Sequence, residues 1–159
     1  AKIGGYHGDS AYTFPCGRIS DEAQSLLDAT KLALEKGIAA AQPGSRIGDV
    51  AHAVQSTVEP LGFSVVREYV GHGVGRDLHE EPEVPNFGHA GHGIRLVPGM
   101  VIAIEPMIAR GRWPIYVGDN GWTVITRDHS WCSHYEHTVA VTTGEPEILS
   151  YPGADVRRF

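Results

Sequence analysis

The chain has 159 residues, enough for one domain of ordinary size, and its 13 basic and 19 acidic side chains give a formal net charge of −6. This balance argues against a nucleic-acid or membrane-surface role, because such proteins usually present a basic face. No apolar run reaches the length of a membrane span. Cys16 and Cys132 lie far apart and form no CxxC pair, so we expect free thiols in a reducing compartment, the cytoplasm.

The N-terminal third predicts a strand or hairpin arm followed by two helices. Residues 1–14 alternate loosely around glycines, as a hairpin arm does. Ser20 is the predicted N-cap of the first helix, and Gly37 is its predicted C-terminal end. The second helix is predicted to begin at Ser45 and to end before Gly62.

After the second helix, the hydrophobic period changes to that of strands. FSVVREYV is β-rich, and residues 76–99 are predicted to be irregular because they are rich in Gly, Pro and His. Further strands are predicted at MVIAIEPMIA, WTVITR and HYEHTVAVTT, with a turn at GDNG. The order of elements predicts an α+β fold, a mainly antiparallel sheet with helices packed on one face, in a single unit over residues 1–159.

Three carboxylates stand in segments that predict strands. Glu105 follows VIAI, which is apolar on both faces, and Glu136 precedes the apolar run of the last long strand. An isolated buried carboxylate is costly, so each must be paired, protonated or bound to metal. The alternatives are an ion pair with a buried arginine for Glu105, a half-exposed strand end for Glu136 and a turn position for Asp9.

The segment YVGHGVGRDLHEEP holds two histidines, His72 and His79, among glycines and acids. It is neither GxGxxG nor HExxH. Glycines beside His72 indicate a close approach of the backbone to another group. A dinuclear metal site would account for the carboxylates and His72 together. Oxygen-rich ligation with one imidazole suits Mn, Fe, Co or Zn.

Four blocks occur in an order that is highly specific: GHGVGRDLHEEPEVPN, LVPGMVIAIEPM, GWTV and YEHTVAVT. Together they resemble the type I methionine aminopeptidases, and the likeness runs from HGDS to PEIL, nearly the whole chain. The resemblance implies the pita-bread fold, a curved antiparallel sheet backed by helices and built from two similar halves.

The resemblance also implies roles for individual residues, and it implies that the glycines beside His72 admit a metal ion and the first residue of a peptide ligand. Four positions match metal ligands of that family: Asp9, His72, Glu105 and Glu136. Glu105 would also move a proton from the attacking water to the leaving amine. His79 matches a histidine that hydrogen-bonds the scissile amide and stabilises the intermediate. Trp122 resembles part of the wall around the methionine side chain.

The activity implied by the resemblance is removal of an N-terminal methionine, by hydrolysis with a water activated by two divalent ions. The ions would be Co, Mn, Fe or Zn. The implied partners are nascent polypeptides, with the ribosome as a further candidate, and neither nucleic acid nor membrane is expected to bind. The family suggests a monomer for the complete protein.

The chain departs from the family pattern at one ligand. The family has five protein ligands, and the fifth is an aspartate on the segment that leads into HGDS, which would precede Ala1. We therefore expect these residues to be the C-terminal portion of a longer polypeptide, whose upstream part would be required for full activity and for binding the second metal.

Two other functions remain open at this point. An Xaa-Pro aminopeptidase or prolidase would share the fold and the ligand types, and a non-catalytic binding module could use the same fold without metal. The remaining histidines are interpreted as solvent-exposed residues without a role as ligands: His7, His52, His89, His92, His129, His134 and His137.

Overall fold

The computed structural model describes residues 1–150, which form two α-helices, one 3-10 helix and thirteen short strands. The predicted single unit extends to residue 159, so its last nine residues lie outside the described part. The helices are α1 (Asp21–Ala40) and α2 (Ile47–Val58), followed by the 3-10 helix Glu59–Leu61. The strands are β1 (Lys2–Ile3), β2 (Tyr6–His7), β3 (Ser10–Ala11), β4 (Ser64–Val65), β5 (Gly71–Gly73), β6 (Glu80–Val84), β7 (Val101–Ile104), β8 (Met107–Ala109), β9 (Ile115–Val117), β10 (Val124–Thr126), β11 (Cys132–His134), β12 (Glu136–Ala140) and β13 (Glu147–Ile148).

Helix α1 begins as predicted but continues past its predicted end. The side chain of Ser20 accepts a hydrogen bond from the backbone N–H of Ala23 at 3.2 Å, which confirms the N-cap. Gly37 lies inside the helix and is buried, so its predicted role as the C-terminal end is wrong. A Cβ at position 37 would come within 3.0 Å of Val54 in α2 and 3.3 Å of Ile104 in β7. Gly37 therefore allows the two helices and the sheet to pack closely.

Helix α2 begins at Ile47, two residues after the predicted start. Asp49 caps it, because its carboxylate accepts the backbone N–H of Arg46 at 2.7 Å. The C-terminal end lies where it was predicted, since the 3-10 helix follows Val58 and Gly62 adopts a left-handed conformation with φ +85°.

The largest sheet brings the ends of several strands side by side. Its order is β13-β12-β7-β5-β6, with β3 paired to the start of β12, and every pairing is antiparallel. A second sheet has the order β11-β8-β4, and β9 pairs with β10 across the predicted turn at GDNG. The predicted α+β class with antiparallel sheets is confirmed.

The main core lies between the helices and the large sheet. Leu34 and Ile38 of α1 cluster with Ile102 and Ile104 of β7 and with Val139 of β12, and all are buried. Since burial of each such side chain contributes about 1.5–3 kcal/mol, this cluster fixes β7 and β12 against the helices. The residues that follow β7 and begin β12 are thereby held in place.

Two strand predictions need correction. The predicted irregular region contains β6, whose acids and Pro82 concealed the pattern, and MVIAIEPMIA forms two strands of different sheets. Pro106 separates β7 from β8 because proline cannot donate a ladder hydrogen bond. Among residues 1–150, neither helix is long and apolar enough to cross a bilayer.

Candidate metal centre

His72 lies in the middle of β5 and is 9 % exposed. Its Nδ1 is 2.9 Å from the carbonyl oxygen of Gly73, which can only accept, so Nδ1 is the donor in this bond and Nε2 remains available to other groups. That Nε2 is 3.5 Å from Oε1 of Glu105 and 4.0 Å from Oδ2 of Asp9. A histidine held in this tautomer can bind a cation through Nε2.

The glycines beside His72 make room for neighbouring strands. A Cβ at Gly71 would collide with the carbonyl oxygen of Ala103 in β7, and one at Gly73 with the carbonyl oxygen of Glu81 in β6. Our interpretation that they admit a metal ion and a ligand is therefore wrong. The close approach is that of two adjacent strands to β5.

Asp9 is positioned by the start of β12. Its backbone N–H donates to Oγ1 of Thr138 at 2.8 Å, and the same hydroxyl donates to the carbonyl oxygen of Asp9 at 2.8 Å. Strand β3 then pairs Ala11 with Glu136. These contacts place the Asp9 carboxylate beside His72, with its side chain 31 % exposed.

Glu105 follows β7, and its carbonyl oxygen accepts a hydrogen bond from Nδ2 of buried Asn86 at 3.1 Å. Its side chain is 13 % exposed. Within the described residues, its carboxylate has no arginine or lysine partner and faces His72 and His134 instead. The alternative of an ion pair with a buried arginine is therefore wrong for this part of the chain.

Glu136 begins β12 and is 4 % exposed, so the alternative of a half-exposed strand end is also wrong. Its Oε1 is buried and has no hydrogen-bond partner within residues 1–150. Burial, followed by the neighbouring charges of Glu105 and Asp9, raises the pKa of Glu136 to about 8. A carboxylate in this position either keeps a proton or requires a cation.

The four predicted ligands converge. The donor atoms form two groups, and within each group all donor atoms lie within 4.8 Å of one another. Glu136 belongs to both groups. The first group also contains Asp9 and His72, and the second contains Glu105 and His134. Oxygen-rich donors with imidazole nitrogen, one of them an unpartnered buried carboxylate, fit divalent transition metals. The shared residue fits a bridging position between two such ions.

His134 was expected to be a solvent-exposed histidine, but the structure places it in a partly buried position beside Glu105. Its Nε2 is buried and lies 3.4 Å from Oε2 of Glu105. The sequence contained one signal for this position, because residues 134 and 136 of an extended chain point to the same face.

Of the other histidines, His52, His89, His92 and His129 are exposed as expected, and His7 is partly buried. His137 is 5 % exposed, so its expected exposure is wrong. Its Nε2 lies 2.9 Å from the Tyr12 hydroxyl, and its Nδ1 lies 2.9 Å from Oγ of Ser150.

His79 and Trp122 lie beside an open cavity of about 970 Å³. The ring centroid of His79 is 4.3 Å from that of His72, edge to face, although His79 follows β5 by six residues. Trp122 lies in the turn between β9 and β10 and is 86 % exposed, so it forms part of the rim and not a packed wall. The remaining lining is largely apolar and includes Val66, Tyr69, Met107, Ile115 and Val124.

The chain is similar in sequence and in fold to methionine aminopeptidases. Methionine aminopeptidase 1 of Bacillus subtilis is 53 % identical over 151 residues, covering 94 % of this chain and 60 % of that protein. The crystal structure of methionine aminopeptidase from Thermotoga maritima superposes with a TM-score of 0.92 at 47 % identity, again covering 94 % of this chain and 60 % of the other. This match confirms the predicted pita-bread fold.

A more distant structure, the prolidase from Pyrococcus furiosus, superposes with a TM-score of 0.70 at 22 % identity, covering 94 % of this chain and 38 % of the other, and shows the fold alone. The chain spans about 60 % of the length of the curated relatives named here. The profile of metallopeptidase family M24 matches residues 1–143. With nine-tenths of its length matched and four separate segments supplying the converging donors, this chain belongs to metallopeptidase family M24.

Proposed function

We propose that this chain carries the metal centre of a methionyl aminopeptidase, which removes the N-terminal methionine from other polypeptides. The observation that carries the proposal is the convergence of Asp9, His72, Glu105 and Glu136 beside the cavity. Membership of a metallopeptidase family implies the use of divalent metal, and the identity to methionine aminopeptidases supports this substrate class over others.

The centre would hold two divalent ions. Asp9 and His72 would bind one, Glu105 the other, and Glu136 would bind both, since it belongs to both donor groups. Divalent ions in such a centre lower the pKa of a water molecule and polarise the carbonyl that it attacks. Mn, Fe, Co and Zn are all compatible with these donors.

Glu105 and His79 are the proposed catalytic residues. Glu105 lines the cavity and would accept the proton of the attacking water, then deliver it to the leaving amine. His79 lines the same cavity and would donate a hydrogen bond to the scissile amide as negative charge develops on its oxygen. Bound substrate would exclude bulk solvent from both side chains and leave the attacking water beside Glu105.

The cavity supports methionine as the first residue of the substrate. Its apolar lining, with Val66, Ile115 and Val124, suits an unbranched thioether side chain, and Trp122 at the rim would cover the bound residue. The natural substrates would be nascent polypeptides, and the proposed location of the activity is therefore the cytoplasm. Contact with the ribosome would then bring the protein to its substrates.

The test is release of free methionine from Met-Gly-Met by the complete protein of verified mass, with the expected upstream part attached, stripped of metal and then supplied with Mn²⁺, Fe²⁺, Co²⁺ or Zn²⁺ singly. We expect ion-dependent release that is abolished by Glu136→Gln and retained by Glu35→Gln, a matched change on an exposed face of α1. Hydrolysis of Gly-Pro without release of methionine from Met-Gly-Met would instead support a prolidase. No bound ion and no release would support a binding module.

A further inference from the structure

We propose that His134 is an additional metal ligand, so that an ion held by Glu105 and Glu136 also binds a second imidazole. The inference rests on the proposed metal centre and adds a residue that the comparison of motifs does not assign. It changes the nitrogen content of the centre from one imidazole to two.

The distances fit a shared ion. Nε2 of His134 is 3.4 Å from Oε2 of Glu105, and Nε2 of His72 is 3.5 Å from Oε1 of the same carboxylate. Two ligand atoms bound at roughly 2.0–2.2 Å with tetrahedral angles lie roughly 3.3–3.6 Å apart, which follows from the usual bond lengths. Each carboxylate oxygen of Glu105 therefore lies as far from an imidazole nitrogen as two atoms that bind the same ion lie from each other.

Unpartnered polar atoms point to the same place. Nε2 of His134 and Oε1 of Glu136 are both buried, and neither has a hydrogen-bond partner within residues 1–150. Glu136 is 4 % exposed, so its unpartnered oxygen would carry a large desolvation cost. A cation between these atoms and Glu105 would satisfy all three side chains at once.

The backbone of His134 is fixed independently of its ring. In β11 it pairs with Met107 of β8, and its N–H donates to Oγ1 of Thr13 at 2.9 Å. The Thr13 hydroxyl donates in turn to the carbonyl oxygen of His134 at 2.8 Å. Because these bonds involve no imidazole atom, a substitution at position 134 should keep the strand in place.

A competing explanation is a hydrogen bond from His134 to Glu105 with no bond to metal. The two explanations differ in metal preference. Imidazole favours Co²⁺ and Zn²⁺ over Mn²⁺ more strongly than carboxylate does, so a ligating His134 should contribute to selectivity. A residue that only positions Glu105 would affect the affinities for Mn²⁺ and Co²⁺ alike.

The experiment uses the purified complete protein, with the expected upstream part attached, loaded with Co²⁺, in which each ligating imidazole gives one hyperfine-shifted, solvent-exchangeable N–H signal in the proton NMR spectrum. We expect two such signals in the wild type, one in His134→Gln and one in His72→Gln. His92→Gln, the same change at an exposed histidine of the Gly-rich loop, should keep both signals. Titration should show that His134→Gln loses more affinity for Co²⁺ than for Mn²⁺.

Identical signal counts in wild type and His134→Gln would overturn the inference, as would equal losses of Co²⁺ and Mn²⁺ affinity. His134→Ala provides a second variant if the glutamine oxygen itself binds metal, and the melting temperature of the metal-free protein verifies folding. A single His72 signal with methionine release would refute only the role of His134. Two signals without methionine release would refute only the proposed activity, and a protein that binds no ion would refute both.

Discussion

The imidazole rings of His72 and His79 meet edge to face with their centroids 4.3 Å apart, yet they stand in different surroundings. His72 is buried, with Nδ1 hydrogen-bonded to Gly73, whereas His79 is exposed to the cavity. Two histidines in contact can thus serve two purposes, one facing the carboxylates and the other facing the space where a substrate would bind.

His79→Gln should lower kcat for methionine release by about 10²- to 10³-fold, the usual cost of removing a donor that stabilises developing charge. The variant should retain its metal, since His79 belongs to neither donor group. His72→Gln should lose metal as well as activity. Metal analysis of the two variants, alongside steady-state kinetics, checks the difference. Loss of metal from His79→Gln would contradict the proposed role.

Removal of metal should make the stability of the protein fall as pH rises. Burial raises the pKa of Glu136 from 4.5 to about 8 in the ion-free fold, so between these values the unfolded chain has released a proton that the folded chain retains. Stability from this group is complete below about 4.5 and is lost as pH rises through about 8. Urea unfolding in EDTA at pH 5, 6, 7 and 8 measures the slope of the free energy of unfolding against pH.

Glu136→Gln should remove that slope, because a neutral amide does not titrate, and saturating Mn²⁺ should remove it in the wild type. Glu35→Gln, on an exposed face of α1, should leave it unchanged. A slope that persists in Glu136→Gln would assign the effect to another group.

Asp49→Asn should destabilise the fold by about 1–2 kcal/mol, the usual range for losing a helix cap. The two oxygens of Asp49 accept the backbone N–H groups of Arg46 and Gly91, each at 2.7 Å, and an amide can accept only through one atom. These bonds lower the pKa of Asp49, so their contribution is present above the ordinary value of 3.8 and is lost as pH falls below it.

Urea unfolding should therefore show that the difference in free energy of unfolding between wild type and Asp49→Asn is smaller at pH 3 than at pH 7. Asp28→Asn is the matched control, since exposed Asp28 accepts, among residues 1–150, only from the side chain of Gln24. Equal destabilisation by both changes would contradict the capping role.

Gly71→Ala should be destabilising by about 1–3 kcal/mol or more, because the added methyl group meets the backbone carbonyl of Ala103. Gly75→Ala should destabilise the fold less, because its methyl group meets the carboxylate of Glu80 at 2.9 Å, and that carboxylate is the movable end of a side chain. Thermal unfolding of the two variants gives the comparison. A similar loss in both would mean that β5 can shift away from β7.

Trp122→Ala should leave the melting temperature nearly unchanged, because its side chain is 86 % exposed. If the indole covers bound methionine, KM for Met-Gly-Met should rise with little change in kcat. Trp131→Ala, at another exposed tryptophan, provides the control, since Trp131 does not line the cavity. An unchanged KM in Trp122→Ala would exclude that role.

The two helices, the Ser20 cap of α1 and the segments that carry Asp9, His72, Glu105 and Glu136 were predictable from the sequence, whereas the Asp49 cap of α2 was not. Helix caps and hydrophobic periods act over a few residues, so the sequence expresses them locally. The ordered sequence blocks that resemble methionine aminopeptidases added the expectation that the four donors form one site. The strand β6 escaped prediction because its acids and proline hide the alternating pattern.

Tertiary structure decided the features that depend on contacts between distant segments. Gly37 lies where α1 packs against α2 and does not end the helix, and Gly71 lies where β7 approaches β5. Glycine is needed at both positions because side chains or backbone of distant segments occupy the space that a Cβ would fill. The meeting of His134 with Glu105 likewise depends on how β11 turns into β12 beside the end of β7. Spacing along a chain specifies which residues share a face, but only packing between strands determines which side chains meet across a sheet.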